Sequence, residues 1–208
     1  MFSKIIDISW PISPAMTAYK DRSVVAFTPT KTFEKDHARE ATVIIGTHSG
    51  THVDAPAHFL EHGHTIDQMK LDALIGPCKV LDLSDISEKV TAHDLQRFDI
   101  KKHDRILLKT KNSSLDSQAR FDASFIFLEK SGAEYLASLD IAAVGIDYLG
   151  IERGQADHAT HEILMHKNIP IIEGLRLGHV EPGEYTLCCL PLALQGLEAA
   201  PARAVLMR

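Results

Sequence analysis

Residues 48–58, HSGTHVDAPAH, constrain the fold more than any other stretch because they carry four potential metal ligands in a single register. His48, His52, Asp54 and His58 are separated by even numbers of residues. Side chains alternate between the two faces of an extended chain, so all four project to one face of a strand. A helix would bring only the first two together, and the glycine, threonine, valine and proline of the stretch are poor helix formers. We therefore predict a strand or extended loop with the ligands on one face.

This stretch must also bend. At about 3.3 Å per residue, a straight strand would place His48 and His52 about 13 Å apart, near the limit for two imidazoles that share one ion. Gly50 can adopt the backbone angles of a bulge or kink that other residues resist. Pro56 restricts the backbone before His58. We expect curvature at both positions.

The four side chains combine imidazole and carboxylate groups, the mixture that Zn²⁺, Mn²⁺ and Fe²⁺ accept. With no thiolate beside them, the pattern indicates a catalytic metal site rather than a structural one. A single histidine is more often a hydrogen-bonded or surface residue, but four in one register favour a metal. His62 and His64 continue the even spacing in a polar, turn-like stretch, and for these two we expect a solvated loop.

The stretch resembles the HxGTHxDxPxH signature of the cyclase-like metal hydrolases, the group that includes bacterial kynurenine formamidase and isatin hydrolase. Every specified position of that signature is filled. The resemblance implies a compact β/β/α swivelling-type fold in a homodimer or larger oligomer, with some pockets completed by a neighbouring subunit. It runs from about Ile5 to Met207, is strongest at the motif, and includes the closing segment GLEAAPARAVLM.

The resemblance also assigns roles to individual side chains. Five of them would hold two divalent ions: His48, His52, Asp54, His161 and Glu173. Asp54 would bridge the two ions, for which Zn²⁺ is the first expectation and Mn²⁺ the second. His58 matches the family's catalytic histidine, which would act as general base on water and then as general acid to the departing nitrogen.

The second half of the site is expected on a helix followed by a strand. Residues 157–168 have a helix-like pattern with Asp157 as a plausible N-cap. Residues 169–173 read as a strand that ends at Glu173, and α/β sheets present functional groups at the carboxyl edge of such strands.

The family pattern places a histidine twelve residues before a glutamate, and His161 and Glu173 have that spacing. His158 is the competing ligand because it lies about one turn earlier on the same helix face. We prefer His161 on spacing and context. Asp147, at the end of another predicted strand, is either a structural carboxylate or a partner of a ligand histidine.

By the resemblance, kynurenine formamidases typically carry a tryptophan near residue 19 that contacts the substrate. This chain has Tyr19-Lys20-Asp21 there, and Tyr19 is the nearest counterpart. Trp10 lies either in the pocket or in the packed interior. The resemblance implies hydrolysis of a formamide or cyclic amide C–N bond of a small aromatic substrate, with N-formylkynurenine first and isatin-type cyclic amides or lactones as alternatives. A non-enzymatic metal-binding protein is the alternative of another class.

Strands that alternate with helices predict an α/β layered fold, and the strand-rich first third favours a mixed sheet in one domain over residues 1–208. Residues 41–47 form a β-branched run that leads into the motif, and residues 65–75 have helical spacing. These are the expected neighbours of the metal-binding stretch.

Composition excludes several other classes. The formal net charge of −6 and the absence of a basic run argue against a nucleic-acid partner. No apolar run approaches membrane-spanning length, and the N-terminus offers no signal-peptide core. Cys78, Cys188 and Cys189 form neither a CxxC motif nor an even disulfide set, so we expect reduced cysteines in a cytoplasmic protein.

Overall fold

The computed structural model describes residues 4–155 and 157–208. Within them the chain forms twelve strands and four helices. The strands are β1 Ile5–Asp7, β2 Ala26–Lys31, β3 Glu40–Ile44, β4 His52–Asp54, β5 Ile75–Asp82, β6 Lys89–Val90, β7 Arg105–Lys109, β8 Phe127–Leu128, β9 Ala143–Ile146, β10 Ile171–Glu173, β11 Gly183–Pro191 and β12 Ala199–Met207. The helices are α1 Phe33–Asp36, α2 Ala92–Leu95, α3 Lys130–Ser138 and α4 Ala159–His166.

Eight strands form one mixed sheet that closes on itself. Its order is β1-β12-β11-β5-β7-β9-β10-β4, and β4 also pairs with β12. The β5–β7–β9–β10 pairings are parallel, whereas β4, β11 and β12 pair antiparallel with their neighbours. The predicted α/β class with a mixed sheet is therefore confirmed.

The closed sheet separates two apolar layers because its side chains alternate in direction. On β7, Ile106 and Leu108 pack in the layer shared with α2, α3 and α4, whereas Leu107 packs in the layer enclosed by the sheet. On β10, Ile171 and Ile172 divide between the same two layers. Because β10 is buried on both faces, its last residue, Glu173, is also buried.

Two local predictions differ from the structure. Residues 65–75 form two 3₁₀ turns, Ile66–Gln68 and Leu71–Ala73, rather than a helix, because Met69 between them has an extended backbone. Asp157 is not the N-cap of α4. That position is held by His158, and the carboxylate of Glu152 accepts hydrogen bonds from the first helical N–H groups, those of Thr160 and His161. Glu152 precedes Thr160 by eight residues, outside the usual capping positions, so the sequence at the helix start does not indicate this cap.

No helix in the described part of the chain combines the length and apolar character needed to cross a membrane.

Gly174 and Gly50 approach each other closely beside β4. Gly174 follows Glu173 with a φ of +68°, and a Cβ there would overlap the carbonyl of Gly50. Gly154 has a similar φ of +65°, but a Cβ there would meet open space.

We expect Gly174→Ala to lower the free energy of unfolding by about 2–4 kcal/mol, since steric overlap adds to the cost of a left-handed backbone. Gly154→Ala, which carries the backbone cost alone, should lower it by about 1 kcal/mol. Urea unfolding of both variants measures the difference. Equal losses would mean that the close approach of Gly174 to Gly50 contributes nothing.

Candidate metal centre

The motif folds as a bent segment around the short strand β4. Gly50 has a φ of +63°, which turns the chain between His48 and His52 as the sequence predicts. Pro56 begins a 3₁₀ turn, Pro56–His58, that ends at the last histidine. The segment therefore curves at both expected positions, and its four polar side chains converge.

The strand β4 joins the two halves of the site. His52 pairs with Glu173 of β10 in the antiparallel register. His52 Nε2 lies 3.4 Å from Glu173 Oε2 and 3.5 Å from Asp54 Oδ1. Residues more than a hundred positions apart in sequence thus meet through strand pairing.

His161 and His48 complete the cluster from opposite sides of Asp54. His161 lies in the first turn of α4. Its Nε2 is 3.8 Å from Asp54 Oδ2 and 3.5 Å from Glu173 Oε1. His48 Nδ1 lies 3.0 Å from Asp54 Oδ1. The structure therefore brings all five sequence-predicted ligands together, with the two oxygens of Asp54 facing different histidines.

The cluster has the properties expected of a cation site. His52 Nε2 and both carboxylate oxygens of Asp54 are buried without a hydrogen-bond partner. Leaving such groups unpaired costs free energy that a bound ion would recover. The ligand atoms of His52, Asp54 and Glu173 lie within 4.8 Å of one another. These residues fit a divalent cation by chemistry, burial and spacing.

The electrostatics point the same way. Burial lowers the pKa of His52, but Asp54 and Glu173 outweigh this effect and raise it to about 9. For His161, burial is likewise outweighed, here by Glu152 and Glu173, and the pKa is raised to about 10. Burial raises the pKa of Glu173, yet the two histidines lower it overall. The buried carboxylates thus favour positive charge close to them. Protons on the imidazoles supply that charge when no metal is bound.

His58 lies beside the cluster and faces the pocket. Its ring centroid is 4.3 Å from that of His48 and 5.9 Å from that of His161. Burial is the main cause of its lowered pKa. Ligand atoms of His48, Asp54 and His58 also lie within 4.8 Å of one another, so the geometry permits His58 either to bind an ion or to act on the substrate.

A pocket of about 440 Å³ is lined on one side by His48, His58, His161 and Glu173. Tyr19, 41% exposed, lies in its wall, and its ring is held edge-on by Phe121 at 4.9 Å. Phe59 forms another part of the wall, 4.5 Å from the ring of His161. Trp10 is buried away from the pocket, with its indole N–H donating to the carbonyl of Ser117, so it belongs to the packed interior.

Other polar residues singled out by the sequence have their contacts away from Asp54. The side chain of His158 is 57% exposed, and its Nδ1 lies 2.6 Å from Glu152 rather than at Asp54. Asp147 accepts four hydrogen bonds from Thr110 and Ser113, which makes it a structural carboxylate. His62 and His64 are exposed, as expected.

Two carboxylates that contact the candidate ligand histidines are not predicted from the sequence. Glu152 Oε2 lies 3.3 Å from His161 Nδ1, and Glu198 Oε1 lies 3.2 Å from His48 Nε2. Each contacts the nitrogen that faces away from Asp54. Glu152 belongs to no motif identified in the sequence. Glu198 lies in the closing segment GLEAAPARAVLM, but it stands 150 residues from His48, so its contact with that histidine follows only from the strand pairing.

The closed mixed sheet and its buried imidazole–carboxylate centre define the class as an α/β protein with a divalent-metal site. The chain belongs to the Cyclase family, whose model matches residues 6–153. The family expected from the motif is confirmed.

Relatives match over nearly the whole length. The kynurenine formamidase of Salinibacter ruber is 33% identical, over 97% of this chain and 96% of its own. Cyclase-like protein 1 of Arabidopsis thaliana is 33% identical, over 99% and 85%. A solved structure described as a potential metal-dependent hydrolase with cyclase activity is 41% identical with a TM-score of 0.89, over 98% and 97%. An isatin hydrolase bound to thioisatinate shares the fold, with a TM-score of 0.89 at 20% identity, over 99% and 92%.

We expect Zn²⁺ to raise the melting temperature of the metal-free protein and Asp54→Asn to abolish most of that increase. An ion at about 100 times its Kd stabilises the folded state by about 2.7 kcal/mol. The amide of the variant cannot neutralise the ion. Thermal unfolding with and without Zn²⁺ tests this, with Asp99→Asn, an exposed acid, as the control. Equal Zn²⁺ stabilisation of both variants would contradict a site at Asp54.

Proposed function

We propose that this protein is a metal-dependent amidohydrolase that cleaves a non-peptide C–N bond of a small aromatic substrate. The leading reaction is arylformamidase-like, converting N-formylkynurenine to kynurenine and formate. The observation that carries the proposal is the convergence of two carboxylates and three imidazoles at the base of a pocket large enough for such a molecule. The kynurenine formamidase relative, which matches from end to end, supports the substrate class.

Two divalent ions, Zn²⁺ first and Mn²⁺ second, would be held by these side chains. His48, His52 and Asp54 would hold one ion, and Asp54, His161 and Glu173 the other. Support comes from Asp54, whose Oδ1 faces His48 and His52 while its Oδ2 faces His161. When bound, such ions polarise a carbonyl and make water more acidic.

His58 is proposed as the catalytic residue. It stands at the pocket wall next to His48, and its lowered pKa keeps the imidazole neutral near pH 7. A neutral imidazole can accept the proton of an attacking water and then donate it to the departing nitrogen. The carboxylates of Asp54 and Glu173 are in contact with the other histidines, which leaves His58 free for this task.

Tyr19 is proposed to contact the aromatic ring of the substrate. Phe121 holds its ring edge-on, so the exposed face can stack against a ligand without loss of side-chain freedom. Phe59 and Leu149 supply apolar surface to the same pocket. An aromatic amide would thus lie between these walls with its carbonyl toward Asp54.

We expect His58→Ala to bind Zn²⁺ as the unmodified protein does while its kcat falls by about 10²- to 10⁴-fold, the usual contribution of a general acid–base. Protein stripped of metal and reloaded with Zn²⁺ or Mn²⁺ would be assayed against N-formylkynurenine, other aryl formamides, isatin and an aryl lactone. His62→Ala, an exposed histidine of the same segment, is the control.

Three outcomes would count against this assignment. Near-normal kcat in His58→Ala would exclude it as the acid–base group. Turnover confined to isatin or the lactone would replace the leading substrate. Tight metal binding with no turnover across the panel would favour a metal-binding protein that is not an enzyme.

The protein is further proposed to be a homodimer. Strands β2 and β3 form a separate two-stranded ribbon in which every residue is exposed, including Phe27, Val43 and Ile44. An isolated two-stranded ribbon is marginally stable in water, and exposed apolar side chains on it indicate a covering partner. A second copy of this chain is the partner we propose.

Sedimentation velocity should give a mass of about two chains for the unmodified protein. Phe27 and Val43 are paired on one face of the ribbon, so Phe27→Asp combined with Val43→Asp should yield monomers. Thr28→Asp, on the opposite face, is the control. A monomeric unmodified protein would rule out this dimer.

The cytoplasm is proposed as the compartment. Cys78 and Cys189 are buried and, with Cys188, are free thiols in the structure. Burial raises the pKa of Cys78 and Cys189 to about 12, which keeps them protonated and unreactive. Free thiols of this kind are typical of a reducing compartment.

A further inference from the structure

The three candidate ligand histidines share one arrangement. Each directs one ring nitrogen at the buried carboxylates and has an oxygen atom within 3.3 Å of the other nitrogen. His52 Nδ1 is 2.9 Å from the carbonyl of Gly50, and His161 Nδ1 is 3.3 Å from Glu152. His48 is turned the other way, with Nδ1 facing Asp54 and Nε2 3.2 Å from Glu198.

Glu198 reaches His48 because the sheet closes at this point. It immediately precedes β12, whose first residue pairs with Asp54. Its own carbonyl accepts a hydrogen bond of 2.9 Å from the N–H of Ala55, so the main chain beside it is fixed. The hydroxyl of Thr47 donates to the same Oε1 at 2.7 Å. The carboxylate is therefore anchored by the residue that precedes His48.

His48 needs such an acceptor more than the other two histidines. Its side chain is 32% exposed, whereas those of His52 and His161 are nearly inaccessible. Water can hydrogen-bond either nitrogen of an exposed imidazole, so both tautomers are populated when nothing selects one. A ligand nitrogen must carry no proton, and an acceptor at Nε2 keeps the proton there and leaves Nδ1 free.

We propose that Glu198 is a positioning residue that fixes His48 in the Nε2–H tautomer and thereby presents Nδ1 to a metal ion. The inference rests on the proposed function, in which His48 is a ligand. Glu198 itself contacts neither the substrate pocket nor Asp54, and it acts only through the imidazole. Partners of this kind typically change metal affinity by about 10- to 100-fold.

Calorimetric titration of the metal-free protein with Zn²⁺ measures this effect without reference to activity. Glu198→Ala should weaken one class of Zn²⁺ site by about 10- to 100-fold and leave the other near its original affinity. Glu198→Gln should lose less, because its amide oxygen can still accept from Nε2–H. Glu181→Ala, at an exposed glutamate outside the cluster, is the control. Equal losses in the alanine and glutamine variants would contradict the proposed role.

Long-range ¹H–¹⁵N spectra of the metal-free protein, labelled at histidine, report the tautomer of His48 without a bound ion that would itself fix it. The unmodified protein should show the Nε2–H form, and Glu198→Ala should show a mixture or a shift to Nδ1–H. If affinity falls while His48 keeps Nε2–H, then Glu198 is a ligand and not a positioning residue. Thermal unfolding of the metal-free variants establishes that they fold.

His48→Ala separates the failure of this inference from failure of the proposed function. If His48→Ala binds Zn²⁺ as tightly as the unmodified protein does, the ligand assignment itself is wrong. If His48→Ala loses affinity while Glu198→Ala does not, only the role of Glu198 is wrong.

Discussion

The carboxylate of Asp54 is the constraint on which the site depends. It is buried, and neither of its oxygens accepts a hydrogen bond. Nitrogens of three imidazoles lie 3.0, 3.5 and 3.8 Å from these oxygens. An ionised carboxylate in such a place is costly unless positive charge is close. The strand that carries it, its glycine bend and the helix that delivers His161 all serve to bring cationic or metal-binding groups to its two oxygens.

The strand pairing that closes the sheet also assembles the site. The three residues of β4 pair with β10 on one edge and β12 on the other, so the strand that closes the sheet is also the strand that carries His52 and Asp54. Pairing with β10 brings in Glu173, and pairing with β12 brings in Glu198. A register slip of one residue on either edge would turn a ligand away from the centre.

The sequence predicts the local part of this arrangement and misses the part that depends on closure. Even spacing and the Gly50 bend identify His48, His52, Asp54 and His58 because strand geometry is set by neighbouring residues. The same reasoning fails at the start of α4, where Glu152 replaces the expected local cap, and at Glu198. Glu152 is eight residues from Thr160, outside the usual capping positions, and Glu198 is 150 residues from His48, so no local periodicity encodes either contact.

The candidate metal ligands and the proposed substrate-binding wall lie in different parts of the molecule. His52, Asp54 and Glu173 are buried on paired strands of the closed sheet, and α4 adds His161. The facing wall is formed by Tyr19 and Lys20, which lie in an exposed 3₁₀ turn. Lys20 has a φ of +53° and sets its ammonium group 5.0 Å above the Tyr19 ring. Because this wall makes no contact with Asp54 or Glu173 through pairing or hydrogen bonds, its residues can change without disturbing the centre. Under the proposed function, residues of this wall can then select different aromatic amides while the ligand cluster stays the same.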